Sequence, residues 1–205
     1  EKLLSIRSKV DTLTQKALQA LTNATSYHGY KISNNSYLQY ALFESKEYLN
    51  ALPVSNNKVP WHANDPDPTY RPDYYQMMKD INICDYVDNK KVSQVWLWGY
   101  HYGGVEPIEA TQSMGRDSKQ FWNHNNYGNV SNSEQINDLP TCKKTYTLYN
   151  YDYNRELGEI LEDHGHQIEE VFKFVDPDLW NKFRYPYGET APIVNACGWI
   201  HSGPN

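Results

Sequence analysis

Basic residues are too few in this sequence to suggest a polyanionic partner. The 19 Lys and Arg are outnumbered by 25 Asp and Glu, which gives a net charge of −6. This balance argues against binding to nucleic acid or to an anionic membrane surface. No apolar run approaches the roughly 20 residues that a membrane-spanning helix requires. We therefore expect neither a nucleic-acid partner nor membrane insertion.

The short motifs of three large enzyme classes are also missing. The sequence contains no G-x-S-x-G nucleophile elbow, no glycine-rich phosphate-binding loop and no H-E-x-x-H zinc motif. Serine hydrolase, nucleotide-dependent enzyme and zincin are therefore unsupported as functions. No tandem repeat is visible, which argues against a solenoid.

Cysteine is scarce. Cys84, Cys142 and Cys197 are an odd number without a C-x-x-C motif, so neither a zinc knuckle nor a disulfide framework is indicated. Cys142 and Cys197 both lie in loop-like sequence and could pair if the protein is secreted. Cys84 lies in an apolar segment, which is typical of a buried thiol.

Aromatic residues with a polar atom are abundant, with 18 Tyr and 6 Trp against 5 Phe. Tyr and Trp combine a flat apolar face with a hydrogen-bonding group, as wet binding surfaces such as sugar-binding clefts require. A nucleotide bias in the genome that enriches Tyr, Asn and Lys is the alternative explanation. The composition favours a carbohydrate or cell-surface polymer as partner and leaves that alternative open.

The hydrophobic periodicities predict one α/β domain over residues 1–205, with a partly parallel central sheet flanked by helices. A pattern of strand followed by helix favours parallel pairing, and apolar residues at a spacing of about 3.6 mark the helices. The predicted elements are helices at 2–21 (within an N-terminal helical region 1–25), 72–82 and 154–174, and central strands at about 93–99 and 145–151.

The rest of the chain is predicted to be mostly irregular. Residues 22–35 are rich in turn-forming residues, and residues 37–52 are predicted to contain a strand followed by a loop or short helix. Long aromatic-rich loops are predicted at 53–72 and 110–142, and loops of this length are often functional.

One face of the predicted helix 154–174 carries polar groups suited to chemistry. At about 100° per residue, five side chains fall within an arc of roughly 80°. They could separate the pKa values of an acid and a base, or bind a divalent metal through His166 and Glu162. The alternative is a solvated acidic face with ordinary i,i+3 and i,i+4 pairs. The five are Arg155, Glu159, Glu162, His166 and Glu169.

The opposite face of this helix is predicted to pack on the sheet. Gly158 and Gly165 lie between the two faces, and because glycine costs about 1 kcal/mol inside a helix, they suggest that something packs closely there. The predicted apolar face consists of Leu157, Ile160, Leu161, Ile168, Val171 and Phe172.

The stretch after the strand 93–99 is a second candidate region. Its glycines permit a sharp turn and close approach of a ligand, and ligands of open α/β sheets bind just beyond the carboxyl ends of strands. His101, Tyr102 and Glu109 lie there. If the two central strands are parallel neighbours, Glu109 should lie within hydrogen-bond or single-water reach of the polar helix row. A turn whose charges face water is the alternative.

Two parts of the sequence resemble a family of secreted or multidomain microbial proteins to which no activity is assigned. The resemblance runs from about 83 to 201 and is strongest in V-W-L-W-G at 95–99 with the later Glu109, and in the Y-x-R-x-x-G-E-x-L-E-x-x-G-H-x-x-E pattern at 153–169. It implies that the protein is secreted or extracellular, and that Glu109 and the polar helix row are recurring positions. It also implies that His164 occupies an apolar or aromatic position. The residues after Glu109 depart from the small-residue run of the family.

These patterns lead to a hypothesis of a secreted hydrolase acting on a glycan or cell-wall polymer. One carboxylic acid would protonate the leaving oxygen, and a second carboxylate or a His would activate water or attack. Glu109 is predicted for one role and Glu162 or Glu159 for the other, while Arg155 would orient a carboxylate.

Two other classes of function remain. The first is a non-catalytic module that binds carbohydrate or a surface through aromatic platforms, and the second is a structural or adhesive domain. The substrate-binding residues predicted for the hydrolase, most of which would also form such platforms, are Trp61, Trp98, His101, Tyr102 and Trp122.

Overall fold

A mixed four-stranded sheet with helices on both faces forms the centre of the fold. The computed structural model describes residues 3–29, 32–54, 69–99, 105, 107–118, 129–130 and 138–183. The helices are α1 (Leu3–Ala24), α2 (Tyr74–Asp80), α3 (Ile83–Asp88), α4 (Leu157–Val175) and α5 (Pro177–Phe183), and the strands are β1 (Ser26–Gly29), β2 (Ile32–Ser36), β3 (Gln94–Gly99), β4 (Ala110–Ser113), β5 (Asn129–Val130) and β6 (Tyr146–Asp152).

The strand order is β3-β6-β4-β5. β3 and β6 are parallel and in register, with Trp98 opposite Tyr151, while β4 pairs antiparallel with both β6 and β5. The predicted α/β class with a partly parallel sheet is therefore confirmed. β3, predicted to be a central strand, lies at an edge of the described sheet, and its residues are only partly buried.

β6 separates two hydrophobic cores because its side chains alternate between the faces of the sheet. Tyr146 and Leu148 pack with α2, α3 and Ile108. Tyr149 and Tyr151 lie on the other face, with residues of α1 and α4. All six residues from 146 to 151 are buried, so a strand of alternating Tyr residues forms the middle of the molecule.

The predicted helix 72–82 is shorter than expected, and a further helix follows it. The Asp73 carboxylate accepts a hydrogen bond from the Gln76 backbone N–H (2.9 Å) and starts α2. Asn82 adopts a left-handed conformation with φ of 54°, which ends the first helical segment and redirects the chain into α3. Asn tolerates this conformation better than most residues.

The cysteine prediction is wrong. Cys84 forms a disulfide with Cys142, with Cα atoms 5.1 Å apart and a sequence separation of 58 residues. The bond joins α3 to the segment that leads into β6. Cys197, the predicted partner of Cys142, lies outside the described residues.

Three segments differ from the predicted irregular or strand structure. Residues 22–35, predicted to be turns, contain the end of α1 and most of an antiparallel hairpin formed by β1 and β2. Residues 37–52, predicted to contain a strand, are irregular, and they are hydrogen-bonded to α1 rather than to another strand: the Tyr40 N–H donates to Thr22 Oγ1. The predicted loop 110–142 contains β4 and β5, and most of the predicted loop 53–72 lies outside the described residues.

Gly115 allows the chain after β4 to lie against the segment before β6. A Cβ atom there would lie 2.2 Å from the Lys144 carbonyl carbon and 2.4 Å from the Lys143 oxygen. Both atoms belong to the backbone and cannot rotate away, so only glycine fits this position. Within the described residues, no helix has the length and apolar character of a membrane span.

Candidate functional site

α4 buries a different face from the one predicted. Leu161 and Ile168 of the predicted apolar face are 36% and 65% exposed. The helix lies instead against the Tyr-bearing face of β6, where hydroxyl groups can receive polar partners. Its buried residues are Ile160, Asp163, His164 and Gln167.

The two glycines of α4 were predicted to mark close packing, and for Gly158 this is wrong. A Cβ atom at Gly158 would meet nothing within 4 Å. The glycine therefore gives no sign of a tightly packed neighbour.

Asp163 is a buried carboxyl group on α4 that the sequence reasoning missed. Asp163 is 2% exposed, and its Oδ2 atom has no hydrogen-bond partner among the described residues. Burial raises the pKa of Asp163 to about 9, and the negative charges of Glu109, Glu159 and Glu162 contribute to the rise. The Asp163 carboxyl group is therefore protonated at neutral pH.

Glu109 directly precedes β4 and is positioned by the antiparallel pairing of β4 with β6. Its backbone carbonyl accepts a hydrogen bond from the Asn150 N–H of β6 (3.0 Å), and its side chain is close enough to α4 for its charge to raise the pKa of Asp163. The start of β4 and the first half of α4 thus bring together a cluster of four carboxyl groups, called here the carboxylate cluster: Glu109, Glu159, Glu162 and Asp163.

Arg155 provides a cation at one edge of this cluster. Its Nη1 donates to Glu159 Oε1 at 2.8 Å, and the Glu159 side chain is only 10% exposed. Burial raises the pKa of Glu159, while the hydrogen bond and charge of Arg155 lower it in part. Arg155 also lowers the pKa of Asp163, so it is the cation that limits the repulsion within the cluster.

The remaining two residues of the predicted row lie one to two turns further along α4. His166 lies 3.9 Å from Glu162 and 3.7 Å from Glu169, measured from its Nε2 and Nδ1 atoms to carboxylate oxygens. The His166 and Glu169 side chains are 13% and 15% exposed. Within the part of the chain that the structure describes, no three His, Cys, Asp or Glu side chains are arranged to hold a metal ion, so the predicted metal ligands His166 and Glu162 gain no support.

His164, which sequence reasoning set aside, lies at the centre of an aromatic cluster. Its ring stacks on Tyr149 with centroids 3.8 Å apart, and its Nε2 shares a hydrogen bond of 2.8 Å with the Tyr151 hydroxyl. Trp96 and Tyr40 approach the same ring edge-on at 5.9 and 6.4 Å. Burial lowers the pKa of His164 to about 4, so the imidazole is neutral at physiological pH.

The two clusters adjoin one another. The charge of Asp163 contributes to raising the pKa values of Tyr149 and Tyr151, after the larger effect of burial. A buried carboxyl group beside stacked aromatic rings has little polar surrounding to stabilise its charge. This explains why Asp163 keeps its proton.

Of the predicted substrate-binding residues, Trp98 is described and partly buried. Its ring packs on Tyr151 with centroids 5.0 Å apart, so part of the indole face is used inside the protein. Trp61, His101, Tyr102 and Trp122 lie outside the described residues.

Comparison of the chain with protein-family models, curated proteins and solved structures finds no match.

Proposed function

We propose that this protein is a secreted hydrolase acting on a glycan or cell-wall polymer, with the carboxylate cluster as its catalytic site. The observation that carries the proposal is the burial of Asp163 beside other carboxyl groups, which raises its pKa. Glycoside hydrolases use such a pair, in which one carboxylic acid retains its proton and another carboxylate is ionised.

In the proposed reaction, Asp163 donates its proton to the glycosidic oxygen as the bond to the anomeric carbon breaks. Glu109 acts as the base that removes a proton from the attacking water, whose oxygen forms the new bond to that carbon. Arg155 holds Glu159 in place at the cluster edge. Since Asp163 is 2% exposed, the leaving oxygen or one bridging water must reach its Oδ2 atom in the bound state.

The Cys84–Cys142 disulfide supports the secreted part of the proposal. Disulfides form and persist in oxidising compartments, mainly outside the cytosol. Their presence is compatible with many extracellular functions, so it supports the location and not the reaction.

The test is a screen of polysaccharides for release of new reducing ends, followed by variants at the cluster. Asp163→Asn and Glu109→Gln are each expected to lower kcat by about 10²- to 10⁴-fold, because general acids and bases contribute that much. Glu170→Gln is the matched control: it lies on the same helix, pairs with Lys173 at 3.3 Å and is outside the cluster. Full activity in both cluster variants would overturn the proposal.

The screen also separates the hydrolase from a binding module. In the wild-type protein, activity should fall at about pH 9, where Asp163 loses its proton. A polysaccharide that binds the wild-type protein without ever being cleaved would favour the non-catalytic alternative. The rings of Trp96 and Trp98 pack against Tyr151 inside the protein. This packing gives less support to a binding module that uses exposed aromatic platforms.

A further inference from the structure

A groove of about 810 Å³ lies between α1 and residues 40–42. None of the four carboxylate-cluster residues lines it, so it is separate from the catalytic site proposed above. It is a shallow groove open to solvent, and its α1 side chains Gln15, Lys16 and Gln19 are exposed. The lining includes Gln15, Lys16, Gln19, Asn23, Tyr40 and Leu42.

The segment that contains residues 40–42 is hydrogen-bonded to α1 and to Thr25, the residue that follows this helix. The Tyr40 N–H donates to Thr22 Oγ1 (3.1 Å), and the Leu38 N–H donates to Thr25 Oγ1 (3.0 Å). The Tyr40 ring approaches His164 edge-on with centroids 6.4 Å apart. The groove is therefore bounded by a segment that is hydrogen-bonded to one helix and packed against the buried aromatic cluster.

The chemistry of the lining suits a saccharide. Side-chain amides such as those of Gln15 and Gln19 offer both donors and acceptors, which match the hydroxyl groups of a sugar. Tyr40 and Leu42 supply apolar surface for the C–H face of a pyranose ring. Lys16 is the one charged side chain among the lining residues, so the groove suits a neutral saccharide or one that places a carboxylate beside Lys16.

We propose that this groove is a saccharide-binding subsite, separate from the carboxylate cluster, that holds an oligosaccharide of the polymer on which the protein acts. The ligand class rests on the proposed function, but binding is measurable without turnover. Contact between Tyr40 and His164 places the groove wall against the aromatic core on which α4 packs. The groove and the carboxylate cluster thus both lie next to this aromatic core.

Calorimetric titration with cellotetraose, chitotetraose and tetragalacturonate tests the proposal. The titrations use the wild-type protein and Asp163→Asn, which should bind without cleaving. Gln15→Ala and Gln19→Ala are each expected to weaken binding by about tenfold, as loss of hydrogen bonds to an uncharged ligand implies. Lys16→Ala should weaken binding of the anionic probe alone. Gln76→Ala, an exposed glutamine on α2, is the matched control and should leave every dissociation constant unchanged.

The outcomes separate this inference from the proposed function. Binding that depends on Gln15 and Gln19 supports the subsite, and it does so even if no probe is cleaved, a result that would count against the hydrolase. Cleavage with binding constants unaffected by both groove variants overturns the subsite and leaves the hydrolase standing. Failure of all three probes to bind at millimolar concentration also overturns the subsite.

Discussion

Replacing Asp163 by Asn should make the protein more stable at neutral and alkaline pH. In the unfolded chain the wild-type carboxyl group ionises near the ordinary aspartate pKa of 3.8, but in the fold its pKa is about 9. Between these values, folding must therefore take up a proton. Asn has nearly the same shape and carries no charge, so the variant folds without that step.

The magnitude follows from the difference between pH and the unfolded pKa. Each pH unit above the unfolded pKa adds about 1.4 kcal/mol to the free-energy cost of keeping Asp163 protonated in the fold. This cost reaches at most about 4 kcal/mol at pH 7. The Asn amide offsets part of the gain, because a buried donor without a partner costs about 1–3 kcal/mol. The expected net stabilisation by Asp163→Asn at pH 7 is about 1–3 kcal/mol.

The folded pKa of Asp163 is raised, so its favourable contribution is complete below pH 3.8 and is lost as pH rises towards 9. The folded pKa of His164 is lowered from 6.5 to about 4, so its contribution is present above pH 6.5 and lost as pH falls to 4. From pH 4 to 6.5, the Asp163 contribution to the unfolding free energy falls with pH while the His164 contribution rises. From pH 6.5 to 9 only the Asp163 contribution changes, so wild-type stability should fall.

Urea denaturation followed by tryptophan fluorescence from pH 4 to 9 provides the assay. The difference in unfolding free energy between Asp163→Asn and wild type should grow by about 1.4 kcal/mol per pH unit. This slope does not depend on the fixed cost of the Asn amide. The exposed Asp11→Asn on α1 is the control and should show no such slope. A constant difference between Asp163→Asn and wild type across this range would refute the reasoning.

Three other positions give predictions that thermal denaturation can check. Gly115→Ala should destabilise the protein by at least about 3 kcal/mol or prevent folding, because its Cβ would overlap backbone atoms. Gly158→Ala, with open space around the new atom, should stabilise it by up to about 1 kcal/mol; equal effects at the two glycines would contradict the packing described. Cys84→Ser should cost about 2–4 kcal/mol, since it opens a 58-residue loop in the unfolded chain, and treatment with reductant should lower the melting temperature of the wild type but not of this variant.

The central part of the fold could be predicted from the sequence because local hydrophobic patterns indicate its strands and its helix. The apolar run at β3, the Tyr-rich β6 and the change of period after it predicted a strand, a strand and a helix within a few residues of their observed bounds. The parallel pairing of Trp98 with Tyr151 was also predicted, whereas Glu109 is positioned by the antiparallel pairing of β4 with β6. Each of the predicted steps needs only neighbouring residues and the general geometry of α/β units.

The buried face of α4 could not be predicted by hydrophobicity. Ile160, Asp163, His164 and Gln167 have the spacing of a buried stripe, but three of the four are polar. His164 is buried against the tyrosines of β6 and hydrogen-bonds to Tyr151, while Gln167 donates to the Val130 carbonyl of β5. The spacing of these four residues indicates a buried stripe, but the assumption that polar residues face water prevented its recognition.

The disulfide could not be predicted, because it depends on a contact between segments that are distant in the sequence. Cys84 lies in α3 and Cys142 before β6, 58 residues apart. Both belong to the core cluster that α2 and α3 form against β6. The odd cysteine count argued against a disulfide framework, and loop-like surroundings suggested only that Cys142 could pair with Cys197, because nothing in the sequence places α3 beside β6.

The most direct measurement of the central claim is the pKa of Asp163 itself. Carboxyl carbon chemical shifts of ¹³C-labelled protein, titrated from about pH 3 to pH 10 and assigned by loss of one signal in Asp163→Asn, report it without any substrate. The predicted midpoint is about 9, with the carboxyl group protonated at pH 7. A midpoint near 4, the value of an ordinary exposed aspartate, would show that α4 carries no retained proton and would contradict the proposed acid.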